Sequence, residues 1–395
     1  MSTYQLIGLA FAAVGVLTLS VFFWERRKQN TRKLHNLPLT HILTWVTRIM
    51  VGVLFIYSGF VKANDYVGFG YKLEEYFMVF GEHFPFMKGF WDFWVPLAEP
   101  LAWFISVFEI ALAFAIIVGW RMNLTMWLTL LMMIFFTVLT AYSHITGAVT
   151  DCGCFGDALK LTPFESFMKD VILMITITPL FLVRTEVKPF PNNLLATVIV
   201  VLSFLGSGYY SYYCHEHLPV IDYRPYKVGV DLNICTTEEG PDGIPKCKDW
   251  YPYFPQELES IKIDSVMTGD TLTLDTTRIY KPEPNLFEGK MLMIIYYDAL
   301  KADGKELDQS EALAKTLEGT DIQVTGATAT GPSEMASIIE KHSITYRMGY
   351  LDQTVLKTVI RSHPGYMLLN DGVVIKKWHA NDIPDKAELE SLLTN

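Results

Sequence analysis

The residues best suited to chemistry are Cys152 and Cys154, separated only by Gly153 in the stretch "TDCGCFGDALKLTP". Two thiols this close can pair only through a very small ring, and Gly153 supplies the permissive backbone such a ring needs. A bond of that kind is strained, and strained disulfides are more oxidising and more labile. The spacing suits a catalyst that hands oxidising equivalents to substrate thiols better than it suits a structural clamp. Asp151 and Asp157 flank the pair and tend to raise thiol pKa values, which opposes a strongly activated thiolate. Two other readings stay open. Either cysteine can bridge to Cys214, or the two thiolates with His144 can hold copper or zinc, although no third and fourth ligand is evident and no metal is expected.

Cys235 and Cys247 bracket the turn-rich "TTEEGPDGIPK" and read as a structural disulfide that stabilises its segment through loop closure. Cys214 is then left over, either to resolve the Cys-Gly-Cys pair or to bond a partner chain. Glu109 sits mid-run in "WFISVFEIALAF". A carboxylate there is costly unless protonated, paired or hydrated, so it is a candidate proton relay or quinone contact, against a plain helix-packing role. Arg48 reads as a snorkelling cation. His215 and His217, in "CHEH", read as linker surface.

These residues are positioned by two very different halves. The chain has 395 residues, 51% hydrophobic, with a net charge of −10. Residues 1–213 carry 14 Lys+Arg and 13 Asp+Glu, net +1, so residues 214–395 carry the remaining 18 and 29, net −11. The acidic half excludes nucleic acid as a partner, since that needs basic surface. Six runs in the first half approach the ~20 apolar residues a bilayer requires. They are Tyr4–Trp24, Ile42–Val61, Pro96–Trp120, Leu124–His144, Phe164–Leu182 and Leu194–Tyr213. ERRK follows the first run, which reads as an uncleaved anchor.

The basic loops hold Arg26, Arg27, Lys28, Arg32 and Lys33, then Arg121, then Arg184 and Lys188. All three face one side if the N-terminus is outside the cytoplasm. The Cys-Gly-Cys loop and everything after residue 213 then lie outside too, in an oxidising compartment where thiols pair. This predicts a membrane protein with its N-terminus and C-terminal domain outside the cytoplasm, which under the bacterial envelope resemblance given below means an inner-membrane protein with both in the periplasm. Residues 66–80 alternate aromatics with charges and read as a helix lying on the membrane surface.

Four domains are expected. They are an N-terminal anchor with a basic loop (1–41), a transmembrane bundle (42–213), a periplasmic connector (214–289) and a compact α/β unit (290–395). In the connector, "IKIDSVMTGDTLTLDTTRIY" reads as a β-hairpin. In the α/β unit, "MLMIIYYD" is a buried strand and "KELDQSEALAKTLEG" a helix. "DIQVTGATAT" is a second strand, and "GPSEMASIIEKHSI" and "DQTVLKTVIRS" are helices. "PGYMLLNDGVVIKKW" is a hairpin on an Asn-Asp-Gly turn, and a final helix closes the chain.

The order βαβα, helix, ββα resembles the thioredoxin fold. "RSHPGYMLLNDGVVIKKW" resembles the segment where that family carries its cis-proline before a β-hairpin. The resemblance implies that Pro364 is cis and that His363 borders a loop which docks extended peptides. The family's Cys-x-x-Cys is replaced here by "YYDALKADGKEL", and no cysteine follows Cys247. The tail is therefore expected to bind a partner rather than exchange thiols. Over residues 42–183, "YSGFVKANDYVGFGYKLEEYF", Glu109 and "DCGCFGDALKLTPFESFMKD" resemble the DoxX/MauE family of small membrane proteins. With "IDYRPYKVG" and the α/β tail, the layout is similar to envelope proteins of Bacteroidota. The family implies a four-helix bundle associated with redox or disulfide chemistry.

Two functions follow as expectations. One is a membrane redox protein in which Cys152 and Cys154 exchange with a periplasmic or membrane protein partner, passing electrons to quinone near Glu109. The other is a non-catalytic assembly subunit whose tail, through His363 and Pro364, docks a partner. The missing Cys-x-x-Cys favours the second, and the geometry of the Cys-Gly-Cys pair favours the first.

Overall fold

A computed structural model of the chain describes residues 3–29, 38–149, 155–159, 161–233, 258–268, 271–280 and 287–394. Cys152, Cys154, Cys235 and Cys247 lie outside the described residues. Contacts divide the chain into two units, Met1–His215 and Glu216–Asn395.

The first unit is helical: α1 (Thr3–Gln29), α2 (Pro38–Asn64), α3 (Tyr66–His83), α4 (Lys88–Trp94), α5 (Ala98–Val118), α6 (Met122–Thr146), α7 (Pro163–Val183) and α8 (Asn193–His217). Five stretches are helical and apolar over a length that can cross a membrane: Leu39–Asn64, Pro85–Val118, Met122–Thr146, Pro163–Val183 and Asn193–His217. The expected first span is one continuous helix, α1, but its described apolar part, Gly8–Trp24, is shorter than these. Helix α3 differs from expectation. It does not simply lie on a surface: Phe69, Leu73, Tyr76, Phe77 and Phe80 are buried on one face and join the bundle core.

The central contact is α2 on α5. A Cβ at Gly59 would stand 2.7 Å from Ile110 Cγ1 and 3.2 Å from its backbone nitrogen. Only glycine permits that approach, as small residues do wherever membrane helices pack closely. Arg48 is not snorkelling either. It is 1% exposed and lies over the Trp45 ring. Its Nε donates to the Ile116 carbonyl at 2.9 Å and its Nη2 to Ile117 at 2.5 Å. A cation here adds a donor to the last carbonyls of α5, of which Ile116 also accepts from the Gly119 N–H, just where the left-handed Gly119 (φ +72°) ends the helix.

The second unit contains a two-stranded antiparallel hairpin, β1 (Leu258–Thr268) and β2 (Thr271–Tyr280). It also holds a mixed five-stranded sheet. The elements of the latter are β3 (Lys290–Tyr296), α9 (Gly304–Thr316), β4 (Ile322–Thr328), α10 (Pro332–His342), β5 (Arg347–Tyr350), α11 (Gln353–Val359), β6 (Gly365–Asn370), β7 (Val373–His379) and α12 (Lys386–Thr394). The strand order is β5-β4-β3-β6-β7, with β3, β4 and β5 parallel and β6 and β7 antiparallel to their neighbours. Strand β3 is buried on both faces, as a central strand between two helical layers must be. Met291, Met293 and Ile295 pack with Leu356 and Val359 of α11; Leu292, Ile294 and Tyr296 pack with side chains from α9, α10 and α12. The β6–β7 turn has Asp371 and Gly372 both at positive φ, 48° and 82°, the geometry a two-residue hairpin turn needs.

Two features differ from the sequence reading. Strand β5, four residues long and at the sheet edge, was not anticipated, because a run that short carries no period to detect. Residues inside the expected connector (214–289) also belong to the sheet's surroundings. Gly229 donates to Val374 and Val374 back to Val230, Leu232 donates to Gly372, and Tyr226 and Leu232 are buried in the core.

Candidate functional site: a buried ionic cavity in the bundle

Because Gly59 brings α2 against α5, Lys62, one turn further along α2, reaches Glu109, the residue before Ile110. Lys62 Nζ stands 2.8 Å from Glu109 Oε2, and the side chains are 2% and 6% exposed. The same ammonium donates to Ser58 Oγ at 2.6 Å and faces the ring of Phe136 at 5.1 Å. Opposite, on α7, Lys169 pairs with Asp170 Oδ1 at 3.0 Å, and Thr140 of α6 donates to Asp170 Oδ2 at 2.9 Å. Asp170 is 1% exposed. A capping box, Thr162 with Glu165, starts α7 and fixes where these two residues fall.

The two ion pairs line one cavity of about 20 Å³, together with Ser58 and Phe155. That is room for one water molecule. Phe155 is buried, and the Lys169 ammonium lies 4.9 Å from its ring centroid. Phe155 is also the residue that follows Cys154.

Of the described residues expected from sequence, Glu109 alone is in this site. Lys62, Lys169 and Asp170 were missed, although all three stand in the motifs "YSGFVKAND" and "FESFMKD". The available signal was the spacing Ser58-x-x-x-Lys62, which puts both on one helix face with Gly59 beside them. Cys214 is buried near the end of α8, its Sγ 4.0 Å from Asn64 Oδ1, which also accepts from Tyr210. His215 and His217 occupy the last turn of α8 rather than a linker. The His217 ring is 2.9 Å from Asp382. Among the described residues no cluster of three metal-ligating side chains occurs.

In the α/β unit the His363–Pro364 bond is cis. His363 stacks on Tyr297, just past the end of β3, with centroids 5.3 Å apart, and its Nδ1 accepts from the Tyr297 backbone N–H at 3.0 Å. Burial holds the His363 imidazole below its ordinary pKa. Nearby in sequence, Lys377 donates to the Val359 carbonyl and to Asp222, and Arg224 pairs with Asp222 at 2.7 Å. Burial would raise the Asp222 carboxyl, but Arg224 and Lys377 beside it bring it down to about 2.

The helical half is thus the membrane-spanning bundle of a polytopic protein, with a charged cavity in its core, followed by a mixed-sheet α/β unit. Residues 40–183, covering α2 to α7, match the family described as methylamine utilisation protein MauE. No curated protein and no solved structure matches the chain.

Proposed function

We propose that this is an inner-membrane thiol–disulfide redox protein, in which Cys152 and Cys154 exchange with a protein thiol partner outside the cytoplasm. The observation that carries this reading is Phe155, adjacent to Cys154 in sequence and buried in the wall of a cavity lined by Lys62 and Lys169. The cavity also holds Glu109 and Asp170, the partners of those cations, and so offers groups that take up the protons thiols release on pairing rather than a net positive charge. On this reading all six apolar helices cross the bilayer with the N-terminus outside, and the bundle is DoxX-like as well as MauE-like. Closing the disulfide releases two electrons and two protons, and a quinone taking up both becomes the quinol. The matched family is named for methylamine utilisation, and that pathway is one setting for such exchange.

The α/β unit is read as thioredoxin-like without its own thiols, a docking module. The place of His363 against Tyr297, just past the end of β3, supports this, as does the absence of cysteine after Cys247. The same platform supports the second reading, a non-catalytic assembly subunit.

The test is the thiol state of the five cysteines in the native membrane, trapped with acid, alkylated differentially and mapped by mass spectrometry. A mixture of reduced and oxidised Cys152/Cys154, or a mixed disulfide to another protein in Cys154→Ser, is expected. A stable, fully oxidised set that resists mild reductant, with unchanged physiology in Cys152→Ser and Cys154→Ser, would leave the assembly subunit as the better reading.

A further inference from the structure

The two carboxylates of the cavity are not equivalent. Asp170 has both oxygens engaged, Oδ1 by Lys169 and Oδ2 by Thr140. Glu109 uses only Oε2, for Lys62, while Oε1 accepts no hydrogen bond among the described residues. Lys62 likewise spends two of its three N–H donors, on Ser58 and Glu109. An unused acceptor and an unused donor therefore border a space sized for one water, and a water held there needs such polar partners.

We propose that this cavity is a proton site, in which one water bridges Lys62 and Glu109 and Glu109 Oε1 takes and gives the proton. A hydronium arriving at the water position breaks one of its O–H bonds as Oε1 forms one. Water and a neutral carboxylic acid result, and the reverse step restores the carboxylate. Among the described residues, the charged groups facing Glu109 are Lys62 from α2 and Lys169 and Asp170 from α7; α6 contributes Met132, Met133, Phe136 and Thr140 and no charge. With Glu109 ionised, the four groups sum to zero. With Glu109 protonated, they sum to +1, and the cavity then attracts an anion formed beside it. The apolar surroundings make such a swing tolerable only because the second ion pair stays neutral throughout. The site stands whether or not the cysteines exchange thiols.

The experiment is infrared difference spectroscopy of the full-length protein in lipid nanodiscs, between mildly acidic and alkaline buffer. One protonated-carboxyl C=O band, shifted in heavy water, is expected on acidification. It should be lost in Glu109→Gln and kept in Asp170→Asn. Because Glu109→Gln strands Lys62, the double variant Lys62→Met/Glu109→Gln is measured as well, and it too should lack the band. The Cys152→Ser/Cys154→Ser protein should keep it, which separates this site from the thiol chemistry. A folded wild-type protein without the band, or a band that survives in either Glu109 variant, overturns the proposal.

Discussion

In the helical bundle, Lys62 and Glu109 lie 2.8 Å apart with a water-sized space beside them and a second ion pair across it. In the α/β unit, Asp222 serves Arg224 and Lys377 at once, and both Arg224 and Lys377 are more than nine-tenths buried. The first arrangement balances each cation with its own anion and leaves one carboxylate oxygen unused. The second has two cations on one carboxylate, and Arg224 Nη1 is buried without a partner among the described residues. The difference separates a site with room for a proton and a water from a clamp that fastens residues 222–224 to β7. Burial of charge alone distinguishes neither; the unused atoms and the space do.

The sharpest way to break this comparison is to remove one partner in the bundle. Glu109→Ala leaves the Lys62 ammonium buried and uncompensated, and breaking a buried pair that way costs about 3–5 kcal/mol. Thermal unfolding in nanodiscs should show a large loss, and Lys62→Met/Glu109→Leu should recover most of it. If the single variant is as stable as the wild type, Lys62 is not held by Glu109, and the cavity is wetter than its 2% and 6% side-chain exposures imply.

The approach of α2 to α5 is the next point of attack. In Gly59→Ala the added methyl stands 2.7 Å from Ile110 Cγ1 and 3.3 Å from the Ser106 carbonyl oxygen. The helices must part, at a cost of about 1–3 kcal/mol, as for other overpacked contacts. The Glu109 band should shift as the ion pair lengthens. Loss of stability with an unchanged band would mean that Lys62 reaches Glu109 without this close contact.

In the clamp the corresponding variable is pH. Asp222 titrates at about 2 when folded, against an ordinary 3.8. Its stabilisation is fully present above the unfolded value and is lost as pH falls through the folded one. About 2 kcal/mol should disappear between roughly pH 4 and pH 2. Amide exchange of β7 at decreasing pH reads this directly, and Asp222→Asn should abolish that step. An identical acid step in the variant would assign it to other carboxylates.

How much of this was legible in the sequence depended on range. Five spans and Glu109 are local facts, because one long apolar run shows both the helix and the misfit within it. The ion pair is not local. Lys62 sits at the end of its run, where a cation looks like an interfacial anchor, and its partner is 47 residues away. Lys169 and Asp170 stand in a short polar stretch at the start of α7, which reads as an ordinary amphipathic turn. Arg48 was misread for the same reason, since the carbonyls it satisfies lie on α5. In the α/β unit the continuous apolar run of β3 and the Asn-Asp-Gly turn were plain, while β5 depends on pairing with β4 for its existence.

The smallest expected effect concerns His363, and it separates a structural role from a docking one. The ring accepts the Tyr297 N–H and stacks on the Tyr297 side chain, so His363→Ala should cost about 1 kcal/mol for the lost hydrogen bond. Burial lowers the folded pKa of a base, so folding is opposed by protonation. The stabilisation is present above the ordinary value of 6.5 and shrinks as pH falls below it, a dependence that the variant should lack. A platform used only for folding should lose that much stability and nothing else. A docking platform should lose co-purification of its partner by far more than the stability change allows, and His363→Asn, which keeps a side-chain acceptor, should recover part of it. Equal partner recovery by the wild type and both variants would return His363 to a structural role and leave the bundle cavity as the functional centre of the molecule.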